Sequence, residues 1–422
     1  MKSAKKRSLR TLGYAIVIIC ITILSPHREP AHAADAFAPT PLLETGKPVD
    51  WWFVFKFNTA SFPSCANGAV RACIFGDDQP QNYKNGFSQQ FAFASSEHRT
   101  LKKGNTCIGD TLQDPVGATF DQIYNGSYYY VIWNDQFYND PDLAACNGQP
   151  FCNTPWAHSK GMLAWNDAGE GFALQVTTPS WPAAGSKNFP RENDGNTLGC
   201  VSDNNVKVSQ HFFSLKLTKD DVVKVLKALQ NASVVTDHSV HQIVNNGGPA
   251  DIRELVEGLG KKSASKTVTK DTLSSGVQLI SKPSRLQVPP WQMVSAVLGG
   301  VSLRTATWWS RNKIPTTDGE TTITCWDDAL GPAGPVEIAI SGEWHGTKFG
   351  LRGGNSKDGN HAKVGVTTGG NLSIFGDMNQ EGALSGPDCT LSQNPRGGLF
   401  YVVDDEILAA EVKSLIGGDT AP

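Results

Sequence analysis

His158-Ser159-Lys160-Gly161-Met162-Leu163-Ala164-Trp165 and His361-Ala362-Lys363-Val364-Gly365-Val366 are the two stretches on which the reading of this 422-residue chain turns. Each is a His-x-Lys running into an apolar, strand-like segment. In a strand, residues i and i+2 share a face, so each motif sets an imidazole beside an ammonium group. One such triplet says little in a chain of this length. Two in matching surroundings say more. Upstream of each lies a β-branched and aromatic run (128–133 and 336–340), and further upstream an apolar block (49–55 and 301–309). Downstream comes a cysteine, Cys200 or Cys389, and then a strand leading into a helix. The first helix has Thr218 as N-cap, Asp220 and Asp221 in its first turn and Val222, Val225, Leu226 and Leu229 on one face. The second has Asp404, Asp405 and Glu406 at its start and Ile407, Leu408, Val412 and Leu415 on one face. Five features in one order point to an internal duplication. The expected fold is α/β with mixed sheets, built as two pseudo-symmetric lobes that form a clamp around a shared cleft.

Residues 1–33 read as a removable leader. Lys2, Lys5, Lys6, Arg7 and Arg10 form a cationic start, residues 12–24 an apolar core, and Ala31-His32-Ala33 a small-x-small cleavage site. The expected organisation is then a first lobe over 34–232, a connector over 233–290 and a second lobe over 291–422. The connector is rich in Gly, Ser, Lys and Thr and holds a short helix at 251–259. Eight cysteines remain outside the leader: 65, 73, 107, 146, 152, 200, 325 and 389. An even count in an exported chain suggests up to four disulfides, with Cys65/Cys73 and Cys146/Cys152 as local candidates and the pairing otherwise open. These features place the protein outside the cell, in the periplasm or in a lysosome-like lumen. No apolar run reaches the ~18 residues of a membrane span. The chain has 37 basic and 40 acidic residues; the leader holds six of the former and one of the latter, leaving 31 against 39. That excess of acid argues against a whole surface that clings to nucleic acid at neutral pH.

Two imidazoles and two ammonium groups converging about a pseudo-two-fold axis would suit phosphodiester cleavage without a metal. The lysines would stabilise charge on the non-bridging oxygens. One neutral imidazole would attack phosphorus while the other, protonated, donates to the leaving oxygen and later activates water. Neighbouring ammonium groups favour the neutral imidazole, which moves the activity optimum towards acid. Acid also reduces the negative field of the carboxylates. No HExxH, EF-hand, Walker or GxSxG pattern is present, and no cofactor is expected.

The landmarks Gly46-Lys47-Pro48-Val49-Asp50-Trp51, Tyr130-Val131-Ile132-Trp133-Asn134-Asp135-Gln136, His158-Ser159-Lys160-Gly161, Pro179-Ser180-Trp181-Pro182, His361-Ala362-Lys363 and Gly376-Asp377-Met378-Asn379 together resemble the deoxyribonuclease II (acid DNase) family. That family is a branch of the phospholipase-D-like phosphodiesterases. The resemblance spans about residues 46–416. It implies a secreted or lysosomal-type endonuclease that cuts duplex DNA at acid pH without divalent metal, leaving 3′-phosphate ends. It assigns His158, Lys160, His361 and Lys363 to catalysis. Asn379 and Asp377, with Asn134 and Ser180, are the expected substrate-binding residues. Ser180 departs from the family's usual asparagine, and Trp165 and Thr368 stand where the wider superfamily has an aspartate five residues after the lysine. Asn166, Asp167 or Asp377 could orient the histidine instead.

The expected partner is DNA, with no stable protein partner and no membrane, for a monomer with an internal pseudo-dimer or a homodimer. Competing readings keep the fold but act on RNA or phospholipid, or retain DNA binding without catalysis. Trp51-Trp52, Trp308-Trp309 and His345 read as packing residues.

Overall fold

The computed structural model describes residues 37–63, 90–109, 112–124, 126–135, 156–178, 207–310 and 312–422. The leader, Ser180, Gln136 and the cysteines at 65, 73, 146, 152 and 200 lie outside the described residues.

β1 (Trp51–Lys56), with the sequence Trp-Trp-Phe-Val-Phe-Lys, is buried along its whole length. A strand covered on both faces reads as such an unbroken apolar run. It stands between β2 (Phe91–Ser95) and β7 (Gln210–Leu217) in an antiparallel sheet. The remaining strands are β3 (Lys102–Lys103), β4 (Tyr129–Asn134), β5 (Lys160–Trp165), β6 (Gly171–Val176) and β8 (Val244–Asn245). Their order is β3-β2-β1-β7-β6-β5-β4-β8.

The second sheet has the order β12-β11-β15-β16-β17-β10-β9. It is built from β9 (Thr269–Thr272), β10 (Gln278–Lys282), β11 (Leu303–Ala306), β12 (Val336–Ile338), β15 (Val364–Thr367), β16 (Leu372–Gly376) and β17 (Gly398–Asp404). β13 (Ser341–Trp344) and β14 (Thr347–Gly350) form a separate hairpin. Among the described strand pairs only β11–β12, in the seven-stranded sheet, is parallel.

Five α-helices lie among the described residues: α1 (Pro115–Tyr124), α2 (Lys219–Ala232), α3 (Ala250–Glu257), α4 (Pro290–Val297) and α5 (Glu406–Leu415). α2 begins as the sequence indicates: Thr218 and Asp221 form a reciprocal capping box, and Val222, Val225, Leu226 and Leu229 are buried. In α5, Asp405 is the N-cap and Leu408, Val412 and Leu415 are buried. Ile407, expected on the same face, is 49 % exposed. It precedes the 408–412–415 stripe by one residue, about 100° around the helix.

Two further expectations are corrected. The segment read as a connector supplies β8 to the first sheet and β9 and β10 to the second. The polar ends of Gln278-Leu279-Ile280-Ser281-Lys282 had hidden a strand. Residues 301–309, paired in the sequence reading with the β1 block, instead supply β11 beside β15; β10 holds the place beside β17 that β1 holds beside β7. The resulting neighbour orders, β4-β5-β6-β7-β1 and β11-β15-β16-β17-β10, run in parallel.

The two sheets share a core. Phe53 of β1 stacks on Phe375 of β16 at 4.3 Å, and Phe213 of β7 lies 4.8 Å from Phe375 and 5.5 Å from Tyr401 of β17. α2 packs against β6 and β7 and also against β10 and β17. A second cluster, centred on Trp291 of α4 with Phe400 and Ile374, also packs on the seven-stranded sheet. Residues 34–422 therefore form one compact unit. Cys325 and Cys389 are bridged, and Cys107 is also disulfide-bonded.

Candidate active site

Both His-x-Lys motifs stand at the entry of a strand. Lys160 opens β5, whereas His361 to Lys363 come just before β15. Each motif hangs by its backbone on the other half of the chain. The His158 N–H donates to the Gly397 carbonyl at 2.8 Å, one residue before β17 begins. The His361 N–H donates to the Ser209 carbonyl at 2.8 Å, one residue before β7 begins. Short parallel bridges, Ala157 with Gly397 and Asn360 with Ser209, mark the same two crossings. The motifs are close enough for charge to act between them: Lys363 lowers the His158 pKa and Lys160 lowers that of His361.

The side chains around the first motif are tightly held. Asn134 pairs with Lys160 in the β4–β5 register, which sets the next residue, Asp135, at the ammonium group. Asp135 accepts from Lys160 through Oδ1 and from Arg396 Nη2 at 2.9 Å through Oδ2. Arg396 also donates from Nε to the Ala157 carbonyl at 3.0 Å. Burial alone would raise the Asp135 carboxyl, but Lys160, His158 and Arg396 together hold it well below the usual carboxylate range.

His158 donates from Nδ1 to the backbone carbonyl of Asp377 at 2.6 Å, because a carbonyl can only accept. Burial, then Lys160, pushes its pKa well below the ordinary histidine value, against the pull of Asp135. The neutral ring therefore carries its lone pair on Nε2.

Asp377 links this motif to a buried relay. Its Oδ2 accepts the Leu399 N–H at 3.0 Å and its Oδ1 accepts from Gln175 Nε2 at 3.0 Å. Gln175 Oε1 receives His211 Nε2 at 3.3 Å, and His211 Nδ1 accepts the Lys363 N–H at 3.0 Å. The chain of bonds runs from the second motif's backbone to the first motif's imidazole. Burial pushes the Asp377 carboxyl up to about 7, against its donors Ser159, Leu399 and Gln175 and the charge of Lys160.

The second motif is held differently. His361 donates from Nε2 to Asn355 Oδ1 at 2.8 Å, and its ring meets Trp308 edge to face at 6.0 Å. Burial, then Lys363 and Lys160, lowers its pKa. Lys363 donates to the His361 carbonyl and, among the described residues, makes no ion pair. Burial, then Lys160, pulls its pKa well below the ordinary lysine value.

Of the substrate-binding expectations, Asp377 sits between the motifs, as above. Asn379 is buried at 3 % exposure with an Oδ1 that no hydrogen bond satisfies. Asn134 is fully buried in β4, its backbone N–H bonded to Val235 at 3.0 Å. Asp135, Arg396, Gln175, His211 and Asn355 lie outside the set of site residues expected from the sequence. Asp135 had a signal, since it closes the strand-like run before the motif. The other four are brought in by tertiary pairing alone.

Neutral imidazoles beside crowded, desolvated cations are a combination with which anion binding, proton transfer and nucleophilic attack are chemically compatible. The sequence profile described as Deoxyribonuclease II matches residues 40–418, and the chain belongs to that family. Its members are phosphodiester hydrolases, acid nucleases acting on DNA and typically lysosomal or secreted. No curated protein matches the chain. Among the described residues no helix is long and apolar enough to cross a membrane.

Proposed function

We propose that the two motifs work on one phosphodiester of duplex DNA, with His158 as nucleophile and His361 as general acid, and without a metal. The observation that carries this reading is the unequal anchoring of the two rings. His158 is tied through Nδ1–H and offers the Nε2 lone pair; His361 has its proton on Nε2. In the first step His158 Nε2 bonds to phosphorus, the P–O5′ bond breaks, and the His361 Nε2 proton passes to the departing 5′ oxygen. In the second, His361 takes a proton from water, the water oxygen bonds to phosphorus, and the P–N bond breaks to release a 3′-phosphate. Lys160 and Lys363 would neutralise the non-bridging oxygens through both steps.

The matched neighbour orders and the two reciprocal crossings support a pseudo-two-fold pair of phospholipase-D-like lobes clamping the duplex, and residues 1–33 are proposed as an export signal. His361, depressed by burial and by Lys363, reaches its protonated form in acid or when the phosphodiester adds its negative charge. The test is plasmid cleavage in excess EDTA from about pH 4 to pH 8. Metal-free cleavage strongest on the acid side is expected. Activity that returns only with added magnesium contradicts the reading.

A further inference from the structure

Lys56 and Lys282 are fully buried, yet neither motif contains them. Each is the last residue of its strand, β1 or β10. Each sits opposite the first residue of the neighbouring strand: Lys56 faces Gln210 of β7, and Lys282 faces Gly398 of β17. Each then donates from Nζ to the carbonyl two residues before that partner, Val208 for Lys56 and Arg396 for Lys282, at 2.8 Å in both cases. The next carbonyl along is the one that receives a histidine. Ser209 O accepts the His361 N–H and Gly397 O accepts the His158 N–H.

We propose that Lys56 and Lys282 are a second duplicated pair, positioning residues that each fix the active-site histidine of the opposite half. Lys282 aligns the 396–397 peptide and so holds His158; Lys56 aligns the 208–209 peptide and so holds His361. Burying an ammonium group costs several kcal/mol unless its protons are all bonded. Lys282 meets that need with carbonyls: its three N–H groups go to Leu286, Asn394 and Arg396. A Leu or Met would fill the same space at lower cost, so a lysine there serves the carbonyls it gathers. Gathering them draws the turn at Leu286 and the 394–396 segment to one point beneath the Gly397 crossing. The bond from Lys56 Nζ to the Val208 carbonyl puts the second lysine beside the Ser209 crossing, and its charge also lowers the His361 pKa.

The inference rests on the paired-histidine reading but is tested by ring position, which does not require the protein to cut. In Lys282→Met, imidazole nitrogen NMR of the full chain should show the His158 signals displaced and those of His361 in place. Lys56→Met should do the reverse. On DNA, each variant should lose about 100-fold in kcat with KM changed less than about threefold, the pattern of a small misalignment. Displacement of the histidine in the lysine's own half, or of neither, overturns the proposal. If the Met variants do not fold, hydrogen exchange of the unaltered protein decides it. The His158 and His361 amides should then be protected like those of β7 and β17, and exchange at loop rates overturns it.

Discussion

The two halves of the site use one backbone plan and different side chains. In both, a lysine at a strand end holds a neighbouring carbonyl, the next carbonyl receives the opposite histidine, and a residue beyond the adjacent strand caps the following N–H. That cap is Thr177 Oγ1 on the His211 N–H at 2.9 Å in the first half and Asp377 Oδ2 on the Leu399 N–H at 3.0 Å in the second. The difference between a hydroxyl and a carboxylate is the kind that a duplicated frame tolerates, because either atom accepts the bond. It also breaks the symmetry of charge. Lys160 shares Asp135 with Arg396, whereas Lys363 rests on a carbonyl. Matching backbone frames with unequal electrostatics would let the two histidines take the opposite roles proposed for them.

The largest effect expected from breaking this pairing is the loss of either ring. His158→Gln or His361→Gln should each lower kcat by about 10⁴-fold or more while circular dichroism and the melting point stay close to the parent. Near-normal cleavage by either variant would show that the rings do not act as a pair. Next comes Asp135→Asn, which leaves the Lys160 and Arg396 cations buried beside a neutral group. It should cost about 3–5 kcal/mol in urea unfolding and lower kcat by about 100-fold. The matching loss at the second motif should be smaller, because among the described residues no carboxylate makes an ion pair with Lys363.

The contrast sharpens further with pH. Asp377, raised to about 7, binds its proton more tightly folded than unfolded. Its stabilising contribution is complete below about pH 4 and is lost as pH rises through about 7. Asp135 has the opposite sign: held low, it stabilises above the ordinary carboxylate range, and that contribution is lost as pH falls. Urea titrations at about pH 4 and pH 7 should therefore show Asp377→Asn gaining stability relative to the parent as pH rises, by a few kcal/mol at most. A difference that stays flat, or falls, removes the raised carboxyl. The smallest effect is expected for Asn355→Ala. Losing one hydrogen bond at His361 Nε2 should lower kcat by about tenfold and shift the acid limb of its pH profile, with no change in KM.

Much of this site was legible before any coordinates, and what was hidden has a common cause. The His-x-Lys triplets, the capped helix after Thr218 and the buried run at 51–55 announce themselves through local pattern. Asp135 could have been found by pairing the strand ending at Asn134 with the one starting at Lys160. Arg396 could not, since it reaches Asp135 across 261 positions of chain through a short parallel bridge. Lys56, Lys282, Gln175 and His211 read as polar interruptions of apolar strands. Their purpose depends on the register between strands, which periodicity does not encode. The β10 strand was missed for the same reason, being too short and too polar at its ends to stand out from the segment around it.

In the proposed mechanism His158 carries the phosphoryl group while His361 moves the protons. A thymidine 3′-(p-nitrophenyl phosphate) needs no acid to expel its leaving group, so the His361→Ala variant should complete the first step and stall before the second. Mixing that variant with the ester, quenching in alkali and mapping peptides by mass spectrometry should find a thymidine 3′-phosphoryl adduct on His158, formed with one equivalent of nitrophenolate. Release of nitrophenolate with no adduct at His158, or the same adduct obtained from a His158→Ala variant at His361, contradicts the account.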